Sequence, residues 1–205
     1  MAGLSASLRA LHHGLQSLQP VEQAGYLACR LRGLDRPQWG VGHCRHRRHP
    51  CEGPPVGGQR KRGAFAQAIG ISRGGRTSKL HALTDSQGRP RVLLLSPGNI
   101  NDMTMAAELI HAAGPFKRLI ADRGYDTNAI RELIAQRGAE AVIPATASRR
   151  APLPYDRHAY RLRNLIERLW CRLKDWRRIA TRYDKLAANY LSSALIAAAI
   201  TYWCN

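Results

Sequence analysis

The sequence predicts an α/β layer fold, and three observations support this prediction. From about residue 64 onward, segments follow the order hairpin, helix, strand, helix, strand, helix, helix. The apolar run VLLL within this region is continuous, as is typical of a strand covered on both faces. The chain has 205 residues, enough for one domain with a buried core.

The first predicted elements are a β-hairpin and a helix. KLHAL and RVLLL flank the turn-rich hexamer DSQGRP, a pattern typical of two antiparallel strands. MTMAAELIHAA then reads as a helix that Asn101 or Asp102 caps and that Gly114-Pro115 ends.

The later elements alternate in the same way. RLIA is a short strand ending at Asp122, and EAVIP is another, with the helix TNAIRELIAQRG between them. Ile130, Leu133 and Ile134 share one face of that helix. A long helix is predicted from about residue 158 to 179, followed by an apolar helix near the end of the chain. Asn189, Ser192 and Ser193 interrupt this last stretch and favour a buried or partner-facing helix over a membrane span.

Residues 1–63 are predicted to form a separate, irregular basic segment, preceding a domain at 64–205. The segment holds five of the eight histidines, and HCRHRRHPCEGPPVGGQRKRG shows no apolar period. One interpretation is a disordered basic arm. Another is a zinc site, although the spacing lacks the paired knuckles of tetrahedral sites. Its candidate ligands are His43, Cys44, His46, His49 and Cys51.

The net charge indicates the class of partner, and the cysteine content indicates the cellular compartment. A net charge of +18 and a pI near 10.8 predict a polyanionic partner, as in nucleic-acid enzymes, ribosomal proteins and histone-like proteins. The five cysteines form no close pairs, which favours a reducing cytoplasm over a disulfide framework. We find no secretory signal and expect a cytoplasmic, nucleoid-associated protein without a membrane partner.

The predicted long helix carries a candidate site. At about 100° per residue, Tyr160, Arg163, Glu167 and Lys174 fall within a stripe about 60° wide. The opposite side is apolar and faces the predicted core. It consists of Leu162, Leu165, Leu169, Leu173 and Trp176.

Glu167 has two interpretations. It is either a partner in surface ion pairs, each worth about 0.3–0.5 kcal/mol, or a ligand of a metal ion. Asp122 favours the second interpretation, because the carboxyl ends of strands in α/β sheets present working groups. Asp122 could instead cap a turn, but Asp126 fits that role better. Two carboxylates with substrate phosphate oxygens suit Mg²⁺, and Arg163 and Lys174 would then neutralise phosphate charge. Tyr160 would hydrogen-bond the backbone or pack against a base.

Tyr160-x₂-Arg163-x₃-Glu167-x₆-Lys174 resembles the Y-R-E-K signature of bacterial insertion-sequence transposases of the DDE class. The segments AIGISRGGRTSKLHALTD, GNINDMT, LIADRGYDT and VIPATASRR are similar to the same family, over residues 64–203. The resemblance implies an RNase H-like fold, in which a mixed sheet flanked by helices carries three acids that bind two Mg²⁺ or Mn²⁺ ions. It assigns Asp122 as the second acid and Glu167 as the third.

The same resemblance implies cleavage of phosphodiesters at transposon ends, strand transfer into target duplex DNA, and a homo-oligomer. It also implies an aspartate on the first strand, where this chain has none. Asp35 is the nearest upstream aspartate and lies outside any first-strand motif. The sequence therefore predicts a first strand that is missing or degenerate, with residues 1 to about 60 translated from another reading frame.

Three functions stay open on these observations. The first is a DDE transposase, and the second is a non-catalytic DNA-binding remnant or regulator that occupies transposon ends. The third is a basic RNA-binding or ribosome-associated protein. For phosphate contacts, the segment 158–185 and a second patch of RKRG with Arg73, Arg76 and Lys79 supply the predicted basic surface.

Overall fold

A computed structural model describes residues 27–30, 38–47, 67–72 and 75–204. Its strands are β1 Leu27–Arg30, β2 Gln38–Arg47, β3 Gly70–Ser72, β4 Gly75–Thr84, β5 Pro90–Pro97, β6 Arg118–Ile120 and β7 Glu140–Val142. Its helices are α1 Asp102–Ala112, α2 Asn128–Gln136, α3 Arg157–Tyr160, α4 Asn164–Lys174, α5 Arg177–Ala180 and α6 Ala187–Trp203. Two 3-10 turns lie at Arg123–Tyr125 and Arg161–Arg163.

The strands form one mixed sheet in the order β1-β5-β4-β2-β6-β7, with β3 on β4. β4 and β5 are the predicted hairpin, and their antiparallel pairing confirms it. β2 pairs antiparallel with β4 on one side and parallel with β6 on the other. β6 and β7 are also parallel. The prediction of a mixed α/β layer fold is therefore confirmed.

Of the two predicted alternatives, a missing or a degenerate first strand, the missing strand is wrong for the described residues. β2 is ten residues long and lies in the middle of the sheet, between β4 and β6. The sequence QWGVGHCRHR gave no periodic signal, because glycine and basic residues replace the usual apolar alternation. The segment forms a strand because its neighbour β4 offers a long row of backbone groups that must be paired. Asp35, His49 and Cys51 lie outside the described residues, as do most other residues before 67.

Both faces of the sheet are covered, as the run VLLL predicts. Alternate residues of β4 and β5 point to opposite faces. On one face, Leu80, Ala82, Leu93 and Leu95 pack against α4 and α6. On the other face, Leu83, Val92 and Leu94 pack against α1 and α2. Leu93 and Leu94 are successive residues that point to opposite faces, and both are buried, as a strand between two helical layers requires.

The predicted helix 158–179 is divided into three shorter helices. The backbone stays helical from α3 through the 3-10 turn into α4, and Trp176 then takes an extended conformation with ψ of 104°. Ile166, Leu169, Trp170 and Leu173 form the buried side of α4. Two residues of the predicted apolar stripe, Leu162 and Trp176, are instead about 40% exposed. The tighter 3-10 turn and the break at Trp176 rotate both away from the sheet.

Short-range signals located the remaining helices correctly. Asn101 caps α1 by accepting a hydrogen bond from the Met103 N–H, and Thr127 caps α2 in the same way through the Ile130 N–H. α6 buries one side against the sheet, which confirms the predicted buried helix near the end of the chain. In the described part of the chain, every helix is too short or too polar to cross a membrane.

Candidate functional site

Asp122 lies just beyond the carboxyl end of β6, where the sequence predicts a working group. Its backbone is extended, and its side chain caps the following 3-10 turn, with Oδ1 accepting a hydrogen bond from the Gly124 N–H at 2.8 Å. A Cβ on Gly124 would lie 2.9 Å from Asp122 Oδ1. Glycine at position 124 thus allows the carboxylate to approach the backbone this closely.

The face of the sheet to which Asp122 points determines which side chains lie near it. Ile120 packs against Val142 and Ala159, with Tyr155 and Tyr160 beside them. Asp122 follows Ile120 by two residues in extended backbone and therefore points to the same face. A cleft forms there between the 3-10 turn and the start of the helical segment. It is lined by Asp122, Arg123, Gly124, Tyr160 and Arg163.

Glu167 joins this cleft through Arg163. Arg163 Nη2 lies 2.8 Å from Glu167 Oε1, one helical turn away. The Arg163 guanidinium carbon is 5.7 Å from the centroid of the Tyr160 ring, a cation–π distance. Tyr155 contacts Tyr160 edge-on, with ring centroids 5.5 Å apart. Tyr160 thus contacts both Tyr155 and Arg163.

The charges of Asp122 and Glu167 both affect the pKa of the Tyr160 hydroxyl. Burial raises the pKa of Tyr160, and the negative charges of Asp122 and Glu167 raise it further, while Arg163 opposes them. Beneath them, burial and the charges of Asp102 and Asp122 raise the pKa of Tyr125. Both tyrosines stay protonated at neutral pH.

The structure places the two predicted lysines differently from each other. Lys174 is exposed and lies two helical turns beyond Glu167, outside the residues that line the cleft. Lys79 is buried, and its Nζ lies 2.8 Å from Asp102 Oδ1 and 2.8 Å from the Ile100 carbonyl oxygen. The prediction that Lys79 belongs to a solvent-facing basic patch is therefore wrong. Nothing in the sequence around Lys79 indicates that its partner is Asp102, 23 residues later.

Asp126 is not the cap that the sequence predicts, since Thr127 caps α2 and Asp122 caps the 3-10 turn. Its side chain is fully buried between Arg131 and Arg149. Burial alone would raise the pKa of Asp126, but hydrogen bonds from Arg149, the Thr146 N–H and Arg131 outweigh it and hold that pKa far below its usual range. Sequence reasoning missed this group because its members come from three separated segments.

The oxygen donors at the cleft suit a hard divalent cation such as Mg²⁺ or Mn²⁺. Two carboxylates, together with phosphate oxygens of a substrate, are a usual coordination set for Mg²⁺. Within the described ranges, no three His, Cys, Asp or Glu side chains come together. Asp122 and Glu167 carry oxygen ligands of the kind that such a cation takes.

Sequence comparison decides the family. Residues 54–202 match the transposase DDE domain family, which is more than half of the chain. The chain belongs to that family. The predicted insertion-sequence DDE transposase family is confirmed, and the match begins ten residues before the predicted boundary at residue 64.

Two relatives agree with this assignment of the DDE domain. One is a transposase for insertion sequence element IS6501 from Brucella ovis, 32% identical over 127 residues, which cover 62% of this chain and 98% of the relative. The other is a transposase for insertion sequence element IS402 from Burkholderia cepacia, 34% identical over 121 residues. That match covers 54% of this chain and 55% of the relative, so the chain spans about half the length of the second protein.

Proposed function

We propose that this DDE domain cleaves and joins DNA phosphodiesters at the ends of an insertion sequence. Asp122 and Glu167 would hold a hard divalent cation, which would supply Lewis-acid activation of the attacking oxygen. The observation that carries the proposal is the cleft in which Asp122 lies beside Tyr160 and Arg163, with Glu167 paired to Arg163. Duplex DNA is the substrate that the family and the charge of +18 favour.

The strand order supports an RNase H-like arrangement. Antiparallel strands β5, β4 and β2 are followed by β6 and β7, which run parallel to β2. In that arrangement the acids lie at the centre of the sheet and on the helix that packs on it, which supports Asp122, after β6, and Glu167, on α4, as two of them. We extend the proposed catalytic unit beyond 64–205 to include β2, because β2 joins the two halves of the sheet.

Each residue of the cleft then has a defined role. Asp122 and Glu167 hold the cation. Arg163 contacts a phosphate with its planar guanidinium, and Lys174 contacts the DNA backbone about 16 Å further along the helix. Tyr160 donates its hydroxyl to a phosphate oxygen, since it stays protonated. Two copies of the chain would act together on the two ends of the element.

The test is cleavage of duplex DNA that carries the terminal sequence of the element, with Mg²⁺ or Mn²⁺. Loss of a metal ligand removes several kcal/mol of transition-state stabilisation, so Asp122→Asn and Glu167→Gln should each lower the rate about 100-fold or more. Asp175→Asn is the matched control, because Asp175 is exposed at the end of α4 and outside the cleft. Full cleavage by both cleft variants would exclude the proposal. DNA binding that survives chelation, without any cleavage, would indicate a non-catalytic protein.

A further inference from the structure

Asp126 lies where three segments of the chain meet. Its Oδ1 accepts hydrogen bonds from Arg131 Nε at 2.7 Å and Arg149 Nη2 at 3.0 Å. Its Oδ2 accepts from the Thr146 N–H at 2.7 Å and from Arg149 Nε at 3.0 Å. The Thr146 hydroxyl donates a further, longer bond at 3.4 Å. With the side chain fully buried, these donors compensate the charge that burial would otherwise penalise.

The two arginines are themselves held by other segments. Arg131, on α2, also donates through Nη2 to the Ile143 carbonyl oxygen at 2.8 Å. Arg149, in the loop after β7, donates through Nη1 to Asn128 Oδ1 at 2.9 Å. Asp126 therefore joins the turn after β6 to α2 and to the loop after β7. Neither arginine can shift without breaking a second contact.

The turn transmits this constraint to Asp122. Asp122 and Asp126 are the two ends of one tight turn, in which the Tyr125 N–H donates to the Asp122 carbonyl oxygen at 3.0 Å. The Asp126 N–H donates to the Arg123 carbonyl oxygen at 3.1 Å, and the Gly124 N–H donates to Asp122 Oδ1. Movement of Asp126 would thus disturb the hydrogen bond that orients the Asp122 carboxylate.

We propose that Asp126, with Arg131 and Arg149, is a positioning residue that fixes the Asp122 carboxylate for cation binding. The inference rests on the proposed function, in which Asp122 binds the cation. Asp126 itself does not contact the cation, because five hydrogen bonds already occupy its two oxygens and the side chain is fully buried. It acts on Asp122 through the backbone of the turn.

A second buried carboxylate gives a matched control. Asp184 is paired with Arg178, with Oδ1 2.6 Å from Nη2 and Oδ2 3.1 Å from Nε. Its side chain is also buried, and it lies in the segment before α6, outside the residues that line the cleft. Neutralising Asp184 removes the charge of a buried carboxylate, whose partner Arg178 is 63% exposed, without touching the turn.

The experiment measures Tb³⁺ bound to the full chain by tyrosine-sensitised luminescence, since Tyr160 and Asp122 line one cleft. Asp122→Asn should abolish the cleft signal. Asp126→Asn should raise the half-saturating Tb³⁺ concentration about tenfold, within the range seen when groups that orient metal ligands are removed. Asp184→Asn should change it less than about twofold. Arg149→Lys keeps the charge, loses the two-pronged contact and should give an intermediate effect if Asp126→Asn does not fold.

The outcomes separate the two proposals. If Asp122→Asn abolishes the signal but Asp126→Asn behaves like Asp184→Asn, positioning is wrong and the proposed cation site stands. If Asp122→Asn leaves the signal unchanged, the proposed cation site is wrong, and with it the role given to Asp126. If the wild-type chain gives no signal, hydrogen exchange of the 121–127 amides decides. Asp126→Asn should speed that exchange at least about tenfold more than Asp184→Asn does, and equal rates would overturn the inference.

Discussion

Arg163 contacts Glu167 and Tyr160 at the same time, with Nη2 2.8 Å from the Glu167 carboxylate and its guanidinium carbon 5.7 Å from the Tyr160 ring centroid. The three side chains share one face of a helical segment that includes a 3-10 turn. The Glu167 side chain is 57% exposed, so the ion pair contributes little to stability. Its consequence is geometric, because Arg163 keeps the glutamate and the tyrosine in one place.

Replacing Arg163 by Gln should therefore affect DNA more than folding. The lost ion pair is worth about 0.5 kcal/mol or less, whereas a charge-assisted contact to phosphate is worth about 1.5–3 kcal/mol. We expect weaker binding of duplex DNA by about 10–100-fold and a slope of log affinity against log salt that is shallower by about one. Arg177→Gln, at an exposed arginine outside the cleft, is the control. Equal effects of the two variants would show that Arg163 has no special contact.

Gly124→Ala should displace the Asp122 carboxylate. The added Cβ would lie 2.9 Å from Asp122 Oδ1, closer than real contacts of this kind, so the carboxylate must rotate away. Stability should change by about 1 kcal/mol or less, since alanine also reduces the freedom of the unfolded chain. Cation-dependent cleavage should fall about 10–100-fold. Urea unfolding and cleavage rates measured on one preparation check both parts. A large loss of stability with normal specific activity would contradict this expectation.

Asp126 should make the free energy of unfolding decrease at acid pH. The folded state lowers the pKa of Asp126 from its ordinary value of 3.8, so its contribution is fully present above that value and is lost as pH falls below it. Asp126→Asn should be less stable than wild type at pH 7, and the difference should shrink between about pH 4 and pH 2. Urea midpoints at several pH values measure this. Asp175→Asn, at an exposed position, should leave this loss of stability at acid pH unchanged.

Much of this fold followed from local sequence signals. The hairpin, α1, α2 and the short strands β6 and β7 each carry an apolar period and a cap or turn residue next to it, such as Asn101 at α1. Asp122 was placed correctly at a strand end because the apolar run before it stops there. These features depend on neighbours within a few residues, which the sequence displays directly.

The features that sequence reasoning missed depend on distant partners. β2 is a strand because β4 and β6 pair with it on both sides, and its own composition says little. Asp126 was taken for a cap because its charge partners, Arg131 and Arg149, are known only from the folded chain. Lys79 was assigned to solvent for the same reason. Buried charges are the residues for which pairing, and not hydropathy, decides position.

Arg182 should be one of the most sensitive positions for stability. It is fully buried, donates to the carbonyl oxygens of Gln67 and Ala68 and to the Ser78 hydroxyl, and lies over the Tyr190 ring. Arg182→Met leaves these acceptors without their donor, each at a cost of about 1–3 kcal/mol. We expect a loss of about 3 kcal/mol or more in the free energy of unfolding, measured with urea. Arg177→Met, at an exposed arginine, should cost about 0.5 kcal/mol or less.

A carboxylate at position 42 should strengthen cation binding at Asp122. β2 and β6 pair Gly40 with Ile120, and the same register continued by two residues would bring position 42 to Asp122. The family resemblance implies an aspartate on this first strand, and Gln38–Arg47 contains none.

Gly42→Asp should therefore lower the half-saturating Mn²⁺ or Tb³⁺ concentration about tenfold, because a third oxygen ligand of negative charge would join the two proposed ones. Gly42→Asn has nearly the same shape without the charge and is the matched control. Cleavage of terminal DNA should rise in Gly42→Asp alone. If the two variants bind the cation equally, position 42 does not face Asp122, and the acid that completes the site must come from another part of the chain.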